Sequence, residues 1–491
     1  MSALLSVFVA TGCSDFLVES DPSNFTVENY FTLPAHARSS VNAIYAPLRD
    51  PMGSGFNGGA WMMTEFATGL AATDLGQAVN SYFVKDLRNT GDNSYGQTYW
   101  GQYYKGVAAA NLSIAKIPGI PGLDATEAKK IMGEAYFLRA FYYFNLVRMF
   151  GNIPLITEPV DLQSENLRPN QANPEDVYNQ IIADLKMAEE SGLPWTDKSG
   201  RATLGAAKSL LAKVYLTMAG YPLQKGATHY ELAAKKAEEV IDSKQFTLFT
   251  TYDDLHNPAK KNVEENIFMI QYKTQILPSN WQVAIVPYNK NISAYSDETG
   301  GIYSTADFVK SYEAGDLRAK EKQFFYTKYT NEKDRTKEVD LGGYFIYKHF
   351  DNVAQNTSAN SDLNWSLIRY ADVLLVYAEA SNEVSGPNAK AFSAVNAIRN
   401  RAQLTPLAGI SKDQFREAVW KERWHELCFE NITWFDMVRL RKAFNVTTKK
   451  FDDFVGHKFS YGPVLREREL LFPIPSSELR NNTNLKPTPG Y

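Results

Sequence analysis

Apolar residues recur at helical spacing over most of this chain and lose that spacing in its middle. In "HARSSVNAIYAPLRD" (36–50) they fall at Val41, Ile44, Tyr45 and Leu48, and the run stops at the glycine-rich "PMGSGFNGG". Residues 51–98 then read as loop, with "LRNTGDNSYGQ" a cluster of turn formers. The helical period resumes in "YWGQYYKGVAAANLSIAKIPG", where Trp100 and Tyr103 stand at packing spacing and are expected in the core. From Glu127 to Gly151 the chain is apolar nearly all round, which predicts a helix buried on most sides. "NPEDVYNQIIADLKMAEESG" opens on Asn173 as N-cap and Pro174 at the first helical position. "TLGAAKSLLAKVYLTMAG", with small residues at 205–207 for close helix approach, and "THYELAAKKAEEVIDS" follow as helices. Between 246 and 364 the period fades into short strand-like runs such as "NIFMIQYK" and "YFIYKHF". Such a long irregular stretch in a helical chain is usually functional or peripheral.

Helices return in "IRYADVLLVYAEASNEV", "NAKAFSAVNAIRNRAQL", "SKDQFREAVWKERWHELCFE" and "TWFDMVRLRKAF", and the Pro- and Asn-rich end "LLFPIPSSELRNNTNLKPTPGY" is expected to be extended. The pattern predicts a mainly α protein. Its scaffold is one of tetratricopeptide-like helix pairs, though without a regular period, and an irregular loop and small-strand region is inserted into it.

The N-terminus changes the picture. "SALLSVFVA" (2–10) is far shorter than the roughly 20 residues of a membrane span and matches the apolar part of a signal peptide. Gly12 precedes Cys13, as in a bacterial lipobox, although Ala10 stands where Leu is more usual. Residues 1–12 are therefore expected to be a signal peptide truncated at its start. Residues 13–30 would be the lipidated Cys13 and an acidic tether, and 31–491 one domain.

Composition excludes more than it selects. Hydrophobic residues make up 44% and charged residues 22%, and the net charge of -4 is spread without a basic stripe, which argues against nucleic acid as a partner. The six histidines form no metal-ligand pair, and "WHELCF" carries Phe429 where a zinc-protease helix needs its second histidine. "NTGDN" and "SDETGG" match no calcium loop. No metal or cofactor is expected. Glu422, Glu426 and Glu430 share one helix face but are expected to pair with Lys421, Arg423, Arg439 or Arg441 rather than to flank a sugar. Neither a nucleophile elbow nor a phosphate loop occurs, so no enzyme is expected. Arg139 and Arg369 sit in apolar helical faces and need carboxylates, with Glu134, Asp372 and Glu379 as candidates.

Aromatics are plentiful at 13%. Sugar recognition stacks rings on pyranose faces and frames them with amide and charged groups. Two loop-rich regions carry that pattern. One holds Asp74, Tyr82, Phe83, Arg88, Asn93 and Tyr95; the other holds Trp281, Tyr288, Tyr295 and Tyr303. Trp281, in polar loop sequence with no helical stripe to join, is the leading candidate. Its replacement by alanine is expected to weaken binding and spare stability.

Several segments in order resemble the SusD/RagB family of outer-membrane nutrient-binding lipoproteins: "YWGQYYKGVAAANLSIAKIPG", "GEAYFLRAFYYFNLVRMFGNIPLIT", "RATLGAAKSLLAKVYLTMAG", "WSLIRYADVLLVYAEA", "AVNAIRNRAQL", "ERWHELCFENITWFDMVRL", "LFPIPSSEL" and "PTPGY". The chain departs from that pattern with Asn431 for a usual Gly, Thr433 for a usual Arg and Thr488 for a frequent Asn. The resemblance implies a SusD-like α superhelix, lipid-anchored in the outer membrane and facing the cell exterior. It further implies a role in polysaccharide utilisation: binding an oligosaccharide and delivering it to a TonB-dependent SusC-like transporter. The alternative on the same scaffold is a RagB-like receptor for peptide or protein.

Overall fold

The computed structural model describes residues 27–53, 59–73, 79–161, 167–295 and 300–491. Cys13 and Asp74 lie outside the described residues. The mainly α expectation holds. The first half carries α1 (Val27–Tyr30), α2 (Pro34–Tyr45), α3 (Met62–Phe66), α4 (Val79–Lys85), α5 (Ser94–Lys116), α6 (Ala125–Phe150), α7 (Pro174–Glu189), α8 (Leu204–Ala219) and α9 (Ala227–Asp242). The irregular region adds only α10 (Gln282–Ile285), α11 (Ala306–Lys310) and α12 (Asn352–Thr357). Then come α13 (Tyr370–Ser385), α14 (Ala389–Arg401), α15 (Lys412–Glu426), α16 (Thr433–Leu440) and α17 (Ser476–Asn481).

Local chemistry sets these boundaries. Asp124 caps α6 by accepting from the Thr126 and Glu127 N–H groups, and Asn173 caps α7 through the Asp176 N–H. α5 begins at Ser94, earlier than its apolar period suggests, because Asn93 accepts from the Tyr95 N–H. Among the described residues of 51–98, expected to be loop, lie α3, α4 and the start of α5, and the terminal segment, expected to be extended, forms α17 after Pro475. Successive helices α5 to α9 pack each on the next, α9 packs on α13, and α13 packs on α14 and α15. Gly205 permits close approach of a loop rather than a helix: a Cβ there would lie 2.5 Å from Phe246 Cζ. Trp100 and Tyr103 are in the core.

The strands are short: β1 (Ala71–Ala72), β2 (Ile153–Pro154), β3 (Gln171–Ala172), β4 (Asn266–Ile270), β5 (Tyr303–Ser304), β6 (Phe325–Thr330), β7 (Glu338–Ile346), β8 (Trp365–Arg369), β9 (Lys442–Asn445) and β10 (Lys450–Asp453). β4 pairs antiparallel with β8, which closes the irregular region at its base just before α13. A four-stranded sheet in the order β1-β5-β7-β6 rises from it.

Beneath this region runs a belt of buried ion pairs. Arg369 binds Glu265, Glu426 and Glu430; Arg318 binds Asp316, Glu422 and Glu426; Arg401 binds Glu265 and Glu426; Lys348 binds Glu430. Burial alone would raise the Glu426 carboxyl, but Arg401, Arg369 and Arg318 draw it down to about 2. Ion pairing was the expected role of these groups, yet the partners differ. Arg139 binds Asp184 at 2.6 Å, Glu134 serves Arg38 and Arg201, Asp372 serves Lys213 and Arg423, and Glu379 serves Arg439.

Asn431 has a φ of +59°, the left-handed region where glycine is usual and Asn is tolerated. Its side-chain amide repays the substitution by donating to the Trp61 carbonyl at 2.7 Å and the Thr64 hydroxyl at 2.8 Å.

Candidate functional site

Pairing of β1 with β5 brings together the two segments singled out by their loop aromatics. Ala72 lies opposite Tyr303, and on the other side of β5 the register sets Tyr303 against Phe345 and Ser304 against Tyr344. A cleft of about 980 Å³ opens here, with Lys85 from α4, Tyr303 from β5, Asp307 from α11, Tyr344 from β7 and Tyr461 from the loop before the C-terminal segment. Gly342, at φ +78°, and Gly343 leave part of the β7 wall as bare backbone.

The cleft's aromatics are held from behind. Tyr303 leans on the Phe345 ring at 5.2 Å, and Tyr461 on the Phe459 ring at 5.5 Å. The Tyr461 hydroxyl donates to the Lys85 carbonyl at 3.2 Å, and burial pushes its phenol up, so it stays neutral. Lys85 Nζ sits over the Tyr461 ring at 4.5 Å and the Tyr82 ring at 5.1 Å, and also pairs with Asp86 at 3.0 Å. On the sheet side Lys328 pairs with Glu338 at 2.9 Å, and Asp340 accepts from the Gly342 N–H at 2.8 Å. Hydrogen bonding to Lys328 holds the Glu338 carboxyl below its usual range. The site therefore presents half-buried tyrosine rings among fixed donors and acceptors, with Lys85 and Lys328 paired to carboxylates and, among the described residues, Asp307 and Asp340 free of a cation partner. That chemistry suits a polyhydroxylated neutral ligand better than an anionic one.

The expected residues divide sharply. Trp281 is corrected: it is fully buried, donates to the His349 carbonyl at 3.1 Å, and packs edge-on to Tyr272 and Trp365 at 5.3 and 5.2 Å. The polar residues before it are tied down, since Ser279 and Ser361 exchange backbone hydrogen bonds and draw the loop onto the core. Asn93 is corrected likewise, being the buried cap of α5 and a donor to the Asn80 carbonyl at 3.1 Å. Tyr95 is buried, with its hydroxyl 2.8 Å from that of Ser81. Tyr295 is half-buried and donates to Gln355 at 2.9 Å. Tyr82 backs the cleft through Lys85. Phe83 and Arg88 are exposed beside each other, with Arg88 Cζ 5.3 Å from the ring. Tyr288 is 57% exposed; two residues on, Lys290 reaches to within 3.9 Å of the space a Gly342 Cβ would fill.

Lys85, Tyr344 and Tyr461 escaped the sequence reading. The signal for Tyr344 was present in "LGGY", a glycine pair inside a strand run, which marks close approach of another group. Glu422, Glu426 and Glu430 lie in the buried belt and none lines the cleft. Among the described residues no cluster of His, Cys, Asp and Glu is arranged to hold a metal ion, and no helix is long and apolar enough to cross a membrane.

Comparison with known proteins places these features. A profile described as the SusD family matches residues 310–491, and one described as "Starch-binding associating with outer membrane" matches residues 16–216. A SusD-like protein of Formosa agariphila is 29% identical over 539 aligned residues, covering 99% of this chain and 98% of its own length. The crystal structure of a SusD superfamily protein from Parabacteroides distasonis is 39% identical, with a TM-score of 0.90 over 95% of this chain and 100% of that one. A laminarin-binding SusD-like protein shares the fold at a TM-score of 0.75 and 24% identity, covering 94% of this chain and 100% of that one.

Proposed function

The chain belongs to the SusD/RagB family, and from that premise we propose that it captures an oligosaccharide in the cleft between α4, β5, β7 and Tyr461 and passes it to a SusC-like outer-membrane transporter. The observation that carries this reading is the set of three half-buried tyrosines, Tyr303, Tyr344 and Tyr461, around one open cleft whose two lysines, Lys85 and Lys328, are already paired with carboxylates. Tyrosine rings of this kind can stack on a pyranose while their hydroxyls meet its edge, which would make selectivity a matter of stacking and shape more than of charge. A family profile described by starch binding and a structural relative that binds laminarin support a glucan as the first ligand to try. Delivery follows from an anchor at Cys13: a lipid on that thiol would keep the domain at the outer membrane beside its transporter. Binding alone accounts for this role, with no chemical step.

Calorimetric titration with laminari- and malto-oligosaccharides, set beside peptides of similar size, tests the reading. We expect saturable glycan binding that Tyr344→Ala weakens about tenfold, the loss of one stacked ring and its buried area, with the melting temperature unchanged. Binding of peptides with no response to any glycan would replace the oligosaccharide with a peptide ligand.

A further inference from the structure

A second cavity, of about 440 Å³, shares no residue with the cleft. It opens between the C-terminal ends of α6 and α8, helix α16 and the chain from Glu467 to Pro489. Much of its wall is apolar, from Val147, Tyr178, Phe435, Leu471 and Ile474. Its charge is one-sided: Arg148, Arg439, Arg441, Arg468 and Lys486 face it, against the single carboxylate of Glu467.

Two of those cations are spoken for. Arg439 is bound by Glu379 and Asp436, and Arg468 by Glu469. Arg148 and Arg441 are not. Arg148 is sandwiched between the Phe144 and Phe435 rings at 3.7 Å each and donates only to the Phe144 carbonyl and the Asn145 side chain, both neutral. Arg441 caps α16 from the left-handed region at φ +55° and lies over the Tyr221 ring at 4.9 Å. Its Nη1 is buried without a hydrogen-bond partner. Burial pulls both guanidinium pKa values down, that of Arg148 to about 10, because nearby acids and phenols compensate them only in part. Nη1 is closed to the cavity, so an anion would meet Arg441 through the rest of its guanidinium, a cation that lines an apolar cavity without a carboxylate of its own among the described residues. The mouth is held in shape as well: Gln171 donates to the Lys486 carbonyl at 3.3 Å and accepts from its N–H at 2.9 Å.

We propose that this cavity is a second binding site, for a small organic monocarboxylate whose acid group pairs with Arg441 in the field of Arg148 and whose ring-sized apolar body lies against Tyr178 and Phe435. A volume of this size admits a ligand of one or two rings. The inference stands independently of the glycan reading, because the two sites have no wall in common.

Titration of the full chain with phenylacetate, with its uncharged counterpart phenylacetamide and with inorganic phosphate tests it. Phenylacetate should bind, and the amide should bind at least tenfold more weakly, the loss expected for one charge-assisted contact. Arg441→Gln should remove most of that preference and leave glycan titration unchanged, while Arg441→Lys restores part of it. Absence of phenylacetate binding, equal binding of acid and amide, or phosphate binding in its place would overturn the proposal. The acid-to-amide comparison needs no variant, so poor folding of Arg441→Gln does not blunt the test.

Discussion

Replacing Trp281 by alanine should damage the fold and leave the ligand site nearly intact. The indole is fully buried and touches Tyr272 and Trp365 edge-on. Truncating a buried Trp or Phe to Ala costs about 3–5 kcal/mol, because contacts are lost and the cavity closes only in part. The lost hydrogen bond adds little, since the His349 carbonyl keeps a second donor, Gln282 Nε2 at 2.8 Å. With an unfolding entropy of ~2 cal/mol/K per residue, a chain of this length that unfolds as one unit should lose roughly 3–5 °C of melting temperature. Differential scanning calorimetry reads that shift directly, and Trp281→Phe should show a smaller one. Titration well below the transition should find oligosaccharide affinity within about twofold of wild type, as befits a substitution that removes no group from the cleft. An unchanged melting temperature together with abolished binding would refute the reasoning. It would mean that Trp281 leaves the core to meet ligand.

Two further predictions concern buried charge. Burial lifts the Glu65 carboxyl to about 7, and the Asn431 N–H and Lys348 offset that only in part. Its folded pKa therefore exceeds the unfolded one, so its contribution is complete below about pH 4.5 and is lost as pH rises through about 7. Glu65→Gln should remove this slope: wild type should lose up to roughly 3 kcal/mol relative to the variant from about pH 5 to about pH 8, and parallel melting curves would contradict it. Arg369→Met strips the shared cation from Glu265, Glu426 and Glu430. It should lower the denaturation free energy by about 3–5 kcal/mol, read from the urea midpoint, and a change below about 1 kcal/mol would show that the belt reorganises around the gap.

What was legible in the sequence was local. α6 and α7 announce themselves by caps and by apolar spacing, which act within a few residues. Long-range pairing was not legible. Arg369 has Asp372 and Glu379 close by in sequence, yet those acids turn to Lys213, Arg423 and Arg439, and Arg369 takes its partners from the residue before β4 and from the end of α15 and the chain just after it. Charge type shows that an arginine in an apolar face needs a carboxylate but not which of several will meet it. Trp281 failed for a related reason. Periodicity detects burial only where an element is long enough to have a face, and α10 is a four-residue helix. The cleft needed β1 to pair with β5 across helices α4 to α9 and the first half of the irregular region, so Tyr344 and Tyr461 became its neighbours through the fold alone.

The belt and the cleft divide the work of this architecture. Buried ion pairs are poor sources of net stability, because the desolvation they require offsets much of their attraction. They do discriminate, since each arginine is tolerable only where its carboxylates converge. In this chain the belt ties β8 and the chain after α15 to α14 and to Glu265, just before β4, and so fixes both ends of a region whose described helices are all short. A region pinned at its base can spend its sequence on loops and short strands and still hold three tyrosines in one arrangement before ligand arrives. Pre-organisation of that kind saves the entropy that a mobile loop would lose on binding. It also makes the two sets of residues separable: the belt holds the region that carries the cleft, and on the function proposed above the tyrosines would govern what the cleft holds. Substitutions at Arg369 and at Tyr344 should therefore act on different observables, and a double variant should show their effects on stability adding rather than coupling.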